Sequence, residues 1–310
     1  MIRARALIVA FLFLNSAALA GAGEPRPTST AWSGKSPAVS RVILESSEFA
    51  GESAVRAGVQ IKLDEGWWTY WRAPGASGMP PMFDWSGSEN VAGEPETIWP
   101  VPLRAVEYGE SLNLYRDEVV FPIEFRPADP KKPVKLRLKM AYGVCRNICV
   151  PSLVEHEIVL KPARGALHTD EANAKLIAAY SGRRPSHDPF TTGLEIAEVR
   201  TTIDDAKANL VIRMRGLNAR RAALVLVEGP DFIRAAEITP RRTDDARVKA
   251  LRLKIGGTPK VRALAGKRIR ITVIDGNRAL EQVWVVGAQG SSVAGIGLTP
   301  VSRGAERPEP

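Results

Sequence analysis

The sequence predicts an all-β protein of two antiparallel β-sandwich domains joined by a short helix and a linker. Apolar residues alternate with polar ones over many short runs, which is the period of a half-buried strand. Glycine and proline separate these runs at short intervals, with 26 Gly and 23 Pro in 310 residues. Many short strands with turn residues between them are typical of sandwiches.

The first twenty residues have the pattern of a secretory signal peptide. Two arginines precede an unbroken apolar run at 6–14, and the sequence A-L-A at 18–20 is a small-x-small cleavage site. The run is too short to span a membrane. We therefore expect the mature protein to begin near Gly21 and to be soluble outside the cytoplasm.

The length and charge suit a basic protein of two domains. Of the 310 residues, 45% are apolar, which allows two cores of ordinary size. The formal net charge of +9 becomes +7 without the two arginines of the leader. The basic residues alternate with apolar ones and form no compact block, which favours solvated strand faces over a nucleic-acid surface.

Several runs predict individual strands. The clearest is 134–140, V-K-L-R-L-K-M, where every second residue is apolar. The same alternation occurs at 210–215 and 251–255. The stretch 268–286 predicts a hairpin that turns near Asp275-Gly276.

Segment 169–181, T-D-E-A-N-A-K-L-I-A-A-Y-S, interrupts this pattern. It has a capping residue, acidic residues at its start and Gly182 just after its end, which are helix start and stop signals. A polar linker with proline follows. The predicted organisation is a signal peptide at 1–20, a first β-sandwich at 21–165, a helix and linker at 166–189, a second β-sandwich at 190–287, and a disordered tail rich in Gly, Ser and Pro at 288–310.

Both cysteines of the chain lie in A-Y-G-V-C-R-N-I-C-V-P-S, at 141–152. One strand leads into Cys145 and a second apolar run begins at Cys149. The loop between them contains Asn147, which tolerates a left-handed backbone, so the stretch predicts a hairpin. Residues opposed in a non-hydrogen-bonded pair have Cα atoms about 4.5 Å apart, which lies within the disulfide range.

The cysteine pair has three interpretations. A structural staple that closes about five residues contributes only about 2 kcal/mol, on which a domain with an ordinary core does not depend. Exchange is favoured by Arg146, because nearby positive charge stabilises a thiolate. A zinc site lacks a second cysteine pair, and His156, in an alternating run, is expected on a strand surface. Copper(I), bound by the two thiolates with Met79 or Met82, stays an alternative.

The segment 66–81, G-W-W-T-Y-W-R-A-P-G-A-S-G-M-P-P, is rich in aromatic residues. Aromatic platforms can bind sugars. However, consecutive aromatic residues point to both faces of a strand, so core packing is the favoured interpretation. A passive structural or carbohydrate-binding sandwich stays a further alternative.

These stretches together resemble the N-terminal periplasmic region of the DsbD/ScsB family of thiol:disulfide interchange proteins. The resemblance rests on 66–81, on I-W-P-V-P, on Y-G-E-S-L-N-L-Y-R-D-E-V-V-F-P-I and on the cysteine hairpin. It implies an immunoglobulin-like domain in which Cys145 and Cys149 are the reactive pair and Cys149 makes the intermolecular bond. It also implies a shielding loop at 104–109, with Glu107, Tyr108 and Gly109 over the sulfurs.

The resemblance further implies a periplasmic redox relay. Electrons would come from a thioredoxin-like or membrane thiol reductant and pass to periplasmic disulfide isomerases or oxidoreductases, without a cofactor, a bound metal or a nucleic-acid partner. The second sandwich has no cysteine, so it is expected to be a spacer or docking module. A copper-handling or copper-tolerance protein that uses the same pair is the alternative.

The sequence departs from the family pattern in three ways. The family continues into a transmembrane carrier and a thioredoxin-like domain, whereas this chain ends at Pro310, so we expect a stand-alone protein with a separate reductant. The loop between the cysteines is shorter than in the best-known form of the family. The aromatic cap of the family falls at Glu107, beside Tyr108.

Overall fold

A computed structural model describes most of the chain. The described residues are 27–204, 207–218, 222–229, 232–238, 248–257, 267–285 and 293–294. The predicted signal peptide at 1–20 lies outside them. Of the predicted tail at 288–310, only Val293–Ala294 are described, and they form a short strand. Over these residues, no helix combines the length and the hydropathy of a membrane span.

The first half of the chain folds into short strands, as the alternating pattern predicts. These strands are β1 Ser33–Lys35, β2 Ala38–Leu44, β3 Glu48–Phe49, β4 Val55–Leu63, β5 Trp68–Gly75, β6 Met82–Asp84, β7 Glu96–Thr97, β8 Leu103–Glu107, β9 Glu110–Arg116, β10 Glu118–Phe125, β11 Val134–Cys145 and β12 Cys149–Pro162.

Two sheets form the first sandwich. One has the order β1-β2-β4-β10-β7, and the other has the order β3-β12-β11-β5-β9-β8, with β6 paired to β11. Strand β11 shows why they stack: Leu136 and Leu138 are each 1% exposed, whereas Arg137 between them faces solvent. Fully buried side chains of both sheets, such as Trp71 and Phe121, form a common core.

The predicted helix forms at the junction. Helix α1, Glu171–Ser181, begins after Asp170, whose side chain accepts a hydrogen bond from the Asn173 amide, and ends at Gly182. The short helix α2, Pro189–Thr192, crosses the predicted limit between the linker and the second sandwich. Ile177 of α1 packs beside Gly58 of β4, where an added Cβ would lie 3.3 Å from the Ile177 side chain.

The second half of the chain forms two four-stranded sheets. Its strands are β13 Glu195–Asp204, β14 Lys207–Arg215, β15 Ala223–Gly229, β16 Phe232–Ile238, β17 Val248–Gly257, β18 Arg268–Asp275, β19 Arg278–Val285 and β20 Val293–Ala294. The sheet orders are β17-β14-β13-β20 and β16-β15-β18-β19. The hairpin β18–β19 turns at Gly276, which has a φ of 66° and lies where the sequence predicts the turn.

The two sandwiches share buried apolar surface. The side chains of Leu224, Leu226, Ile274 and Ala279 belong to the same apolar cluster as the core of the first sandwich. Their neighbours in sequence, such as Val225 and Val273, face the separate core of the second sandwich. The β15–β18 pair is therefore covered on both faces. The domain limits at 165 and 190 stay predictions, and the packing across them is extensive.

Candidate functional site

A disulfide closes the hairpin of β11 and β12. The two strands pair in register from Val134 opposite Leu160 to Cys145 opposite Cys149, and the cysteines are bonded with a Cα–Cα distance of 4.1 Å. The loop between them is held by a hydrogen bond of 2.9 Å from the Arg146 amide to the Ile148 carbonyl. Strand alternation and the short loop therefore place the sulfurs at one end of the sandwich, and the hairpin forms where the sequence predicts it.

The two cysteines differ in exposure. Cys145 is 1% exposed and pairs on its other side with Trp68 of β5, so strands flank it on both sides. Cys149 begins β12 and is exposed. A reagent from solution therefore reaches Cys149 first.

A small apolar cluster forms the floor of the site. It contains Trp68 and Tyr70 of β5, Leu112 and Leu114 of β9, and Cys145. The Tyr70 hydroxyl lies 3.8 Å from Cys149 Sγ, within hydrogen-bonding range for sulfur. Burial raises the pKa of Tyr70 above its usual value. The phenol thus stays protonated at neutral pH and can donate a hydrogen bond to the sulfur.

Two glycines explain why the segment after β5 fits over this floor. Gly78 has a φ of 123°, and a Cβ built there would lie 2.4 Å from the ring of Tyr70. Gly75 has a φ of 108°, and its Cβ would lie 2.4 Å from the Ser111 carbonyl. The aromatic segment has two roles: Trp71 packs in the core of the first sandwich, whereas Trp68 and Tyr70 form the floor of the disulfide site. Sequence reasoning missed Tyr70 as a site residue, and its only signal was the family-like stretch itself.

The predicted shielding loop lies beside the cysteine hairpin. Tyr108 and Gly109 form a two-residue turn between β8 and β9, and both have positive φ angles, 51° and 82°. That geometry suits a type I′ hairpin turn. Tyr108 is 73% exposed, and its hydroxyl donates a 2.6 Å hydrogen bond to Asn147 Oδ1. Its ring therefore faces solvent and does not pack into the edge of the sandwich.

Glu107 connects this turn to the floor of the site. Its carboxylate pairs with the Arg116 guanidinium, which lies 5.3 Å from the centre of the Trp68 ring. Arg146 is positioned from the other side, because a Cβ at Gly66 would lie 3.2 Å from Arg146 Nε. Gly66, at a φ of 79°, thus leaves room for the guanidinium against the turn before β5. Charged side chains therefore lie against Trp68 of the floor and in the loop between the cysteines.

The side chains considered as zinc or copper ligands, His156, Met79 and Met82, lie in different surroundings. His156 is 6% exposed and is hydrogen-bonded to Thr30 Oγ1 and Ser40 Oγ. The expectation that it faces solvent is wrong, because the N-terminal segment covers this part of β12. Met82 is 58% exposed, and the Met79 carbonyl accepts a hydrogen bond from the Gly143 amide. The described part of the chain contains no group of three or more His, Cys, Asp or Glu residues arranged to hold a metal.

Comparisons with known proteins agree with the resemblance seen in the sequence. Residues 41–161, which include both cysteines, match the family described as thiol:disulfide interchange protein DsbD, N-terminal. The chain is also similar to the crystal structure of the N-terminal periplasmic domain of ScsB from Proteus mirabilis, with a TM-score of 0.55 and 18% identity over 84% of this chain and 98% of that one. At this identity the similarity is one of fold. No curated protein matches the chain.

Proposed function

We propose that the DsbD N-terminal-like domain of this chain, residues 41–161, carries out thiol–disulfide exchange in the periplasm. In this proposal the Cys145–Cys149 pair takes electrons from a thioredoxin-like or membrane thiol reductant and passes them to periplasmic disulfide proteins. The observation that carries the proposal is the asymmetric disulfide: an exposed Cys149 is bonded to a buried Cys145 at the open end of a hairpin.

The reductive half of the exchange uses two thiols of the reductant. Its first thiolate attacks Cys149 Sγ, which forms a mixed disulfide and releases Cys145 as a thiolate. The second thiolate of the reductant then attacks the reductant's first sulfur in the mixed disulfide. This step releases Cys149 as a thiolate. The reductant is left as a disulfide, and the domain has gained two electrons and, once both sulfurs are protonated, two protons.

The oxidative half passes these electrons on. The Cys149 thiolate attacks the disulfide of a client protein, and one client sulfur leaves as a thiolate. Cys145 then attacks Cys149 Sγ in the new mixed disulfide. This step restores the Cys145–Cys149 bond and releases the client as a dithiol. Burial of Cys145 suits it to this intramolecular role.

The surroundings of Cys149 favour such exchange. A thiolate is both the attacking and the leaving species, so groups that stabilise it speed the reaction. The Tyr70 hydroxyl is placed to donate to this sulfur, and Arg146 supplies a positive charge next to Cys145 in the chain. A disulfide that served only as a staple would need neither group.

The turn at Tyr108-Gly109 would limit unwanted exchange. In an oxidising compartment a reduced pair must avoid other disulfides, and access is one determinant of exchange rate. Tyr108 is anchored to the cysteine loop by one hydrogen bond to Asn147. Because its ring is otherwise exposed, it can swing away without disrupting the core.

A redox titration tests the proposal directly. The mature protein is equilibrated with glutathione buffers, and the reduced fraction is measured by alkylation and gel shift. We expect a potential between about −120 and −270 mV, the range of exchange catalysts. A value below about −300 mV would indicate a structural staple and contradict the proposal. Stoichiometric copper(I) binding that requires both reduced cysteines would instead support the copper-handling alternative.

A further inference from the structure

Strand β5 connects the disulfide site to the second sandwich through the side chain of Arg72. Trp68 and Tyr70 belong to the floor beneath the cysteines. Arg72, two residues further on, points to the second sandwich instead. Its Nε donates to Glu228 Oε1 at 3.1 Å, and its terminal nitrogen lies 3.0 Å from Glu228 Oε2. The same nitrogen also pairs with the Glu281 carboxylate.

The acceptors of Arg72 lie on neighbouring strands of one sheet. Glu228 is on β15, Thr272 on β18 and Glu281 on β19. The side chains of Arg72, Glu228 and Glu281 are 14%, 15% and 12% exposed. Arg270 lies 3.6 Å from Glu281 and 4.0 Å from Glu228, so two arginines balance two glutamates. Such partly buried charges tolerate displacement poorly, because each one depends on its partners.

Strand β5 lacks regular pairing where Arg72 lies. Tyr70 is opposite Leu114 of β9, but the next paired residue, Gly75, is opposite Leu112. Four residues of β5 thus bulge out of the ladder. On the other side, β5 pairs with β11 only through Trp68 and Cys145 among the described residues. The bulged segment is held by the burial of Trp71 and Ala73 in the core, by Asn113, which donates to the Ala73 carbonyl at 2.7 Å, and by the ion pairs of Arg72.

We propose that Arg72 is a positioning residue for the cysteine pair, and that the second sandwich sets the reactivity of the disulfide through it. By holding the bulged part of β5, the Glu228–Arg72–Glu281 contacts keep Tyr70 in reach of Cys149 Sγ. The second sandwich is then part of the redox centre although both cysteines of the chain lie in the first. This inference rests on the proposed function, since it concerns how the same pair reacts.

Two variants test the inference. Arg72→Lys keeps the charge but loses the fork that contacts both glutamates. The triple variant Arg72→Met/Glu228→Gln/Glu281→Gln removes Arg72 and both glutamates, so no glutamate is left unpaired, and the remaining Arg270 is 46% exposed and can be solvated. Arg137→Met is the matched control, because Arg137 pairs with Glu157 at 2.6 Å on the exposed face of the cysteine hairpin.

The measurements are the equilibrium constant with glutathione and the pH profile of alkylation of the reduced protein. If Tyr70 no longer donates to Cys149, the thiolate loses stabilisation. We expect the equilibrium of the triple variant to shift threefold or more toward the disulfide and its alkylation profile to move to higher pH. Arg72→Lys should shift both in the same direction, and Arg137→Met should change neither.

The inference is overturned if the folded triple variant stays within threefold of the wild type in equilibrium constant and keeps the same alkylation profile. Should the triple variant not fold, Arg72→Lys decides by the direction of its two shifts, and an unchanged profile refutes the inference. Failure of the proposed function is a separate result, because it shows in the potential of the wild-type protein and not in the difference between variants.

Discussion

Cys145 and Cys149 share one disulfide, yet Cys145 is 1% exposed and Cys149 is open to solvent. The difference arises from their places in the sheet. Cys145 lies between β12 and Trp68 of β5, whereas Cys149 is the first residue of its strand. A partner that attacks along the S–S axis can therefore reach Cys149 and displace Cys145, but the reverse approach is blocked by the floor of the site.

This asymmetry predicts which cysteine is trapped. In a periplasmic extract, Cys145→Ser should accumulate mixed disulfides through Cys149, because no resolving thiol remains. Cys149→Ser should accumulate none, because its remaining thiol is buried. Non-reducing gels followed by mass spectrometry of the trapped bands measure both. Trapping by Cys149→Ser alone would reverse the assigned roles.

Truncation of Tyr108 should open the site without unfolding the protein. Its ring is 73% exposed, so Tyr108→Ala should cost less than about 1.5 kcal/mol, mostly for the hydrogen bond to Asn147. A buried aromatic truncation would cost about 3 kcal/mol or more. Alkylation of the reduced cysteines should become several-fold faster.

A second substitution at Tyr108 separates the ring from the hydroxyl. Tyr108→Phe keeps the ring and loses the bond to Asn147. If that bond holds the cover in place, Tyr108→Phe should approach the alkylation rate of Tyr108→Ala. Equal rates for the wild type and both variants would show that the turn does not shield the sulfurs.

The hydroxyl of Tyr70 should influence the thiolate of Cys149. Tyr70→Phe retains the apolar floor and removes the donor that lies 3.8 Å from Cys149 Sγ. We expect the pH profile of alkylation to move to higher pH, with a stability change of about 1 kcal/mol or less. Tyr115→Phe is a suitable control, because that hydroxyl is buried but donates to the Pro100 carbonyl. An unchanged profile in Tyr70→Phe would remove Tyr70 from the mechanism.

The local features of the site were predictable from the sequence. The cysteine hairpin follows from the alternation in 134–140 and from a short loop with Asn147, which are contacts between near neighbours. Helix α1 follows from Asp170 and Gly182 at its ends for the same reason. In each case the interactions that decide the structure lie within a few residues along the chain.

The features that depend on distant contacts were not predictable. Arg72 meets Glu228 and Glu281, which lie 156 and 209 residues away, and no local pattern indicates that pairing. Tyr70 contacts Cys149, 79 residues away, just before β5 bulges out of its ladder, and no local pattern indicates either feature. The alternation of its strand predicts that His156 lies on the surface. The N-terminal segment that covers it comes from more than a hundred residues earlier in the chain.

His156 should make the protein less stable in mild acid. Burial lowers the pKa of His156, so the folded protein keeps the imidazole neutral while the unfolded chain, with a pKa of about 6.5, takes up a proton. The stabilisation is therefore present above about pH 6.5 and is lost as the pH falls through the lower folded pKa. The melting temperature should fall between pH 7.5 and pH 5.5.

Two comparisons isolate this effect. His156→Gln should reduce the change in melting temperature between pH 7.5 and pH 5.5, whereas His168→Gln, at an exposed position, should not. Burial also raises the pKa of Glu45, which contributes with the opposite sign because the folded state then binds its proton more readily as the pH falls. If the melting temperature of His156→Gln still drops as steeply as that of the wild type, another group is responsible.

Gly78 should affect the cysteines through Tyr70, and a matched glycine can show it. Gly78→Ala places a Cβ at a φ of 123° and 2.4 Å from the Tyr70 ring, so the ring must move. Gly93→Ala also places a Cβ at a positive φ, 77°, but nothing lies within 4 Å of it. Gly93→Ala should lose about 1–2 kcal/mol for the backbone, and Gly78→Ala should lose at least that amount and a further ~1–3 kcal/mol for the clash. Only Gly78→Ala should also shift the alkylation profile of the reduced pair, in the direction expected for Tyr70→Phe. A shift of the same size in Gly93→Ala would mean that the profile reports general loosening of the sandwich, and the contact between Gly78 and Tyr70 would then have no special part in the chemistry.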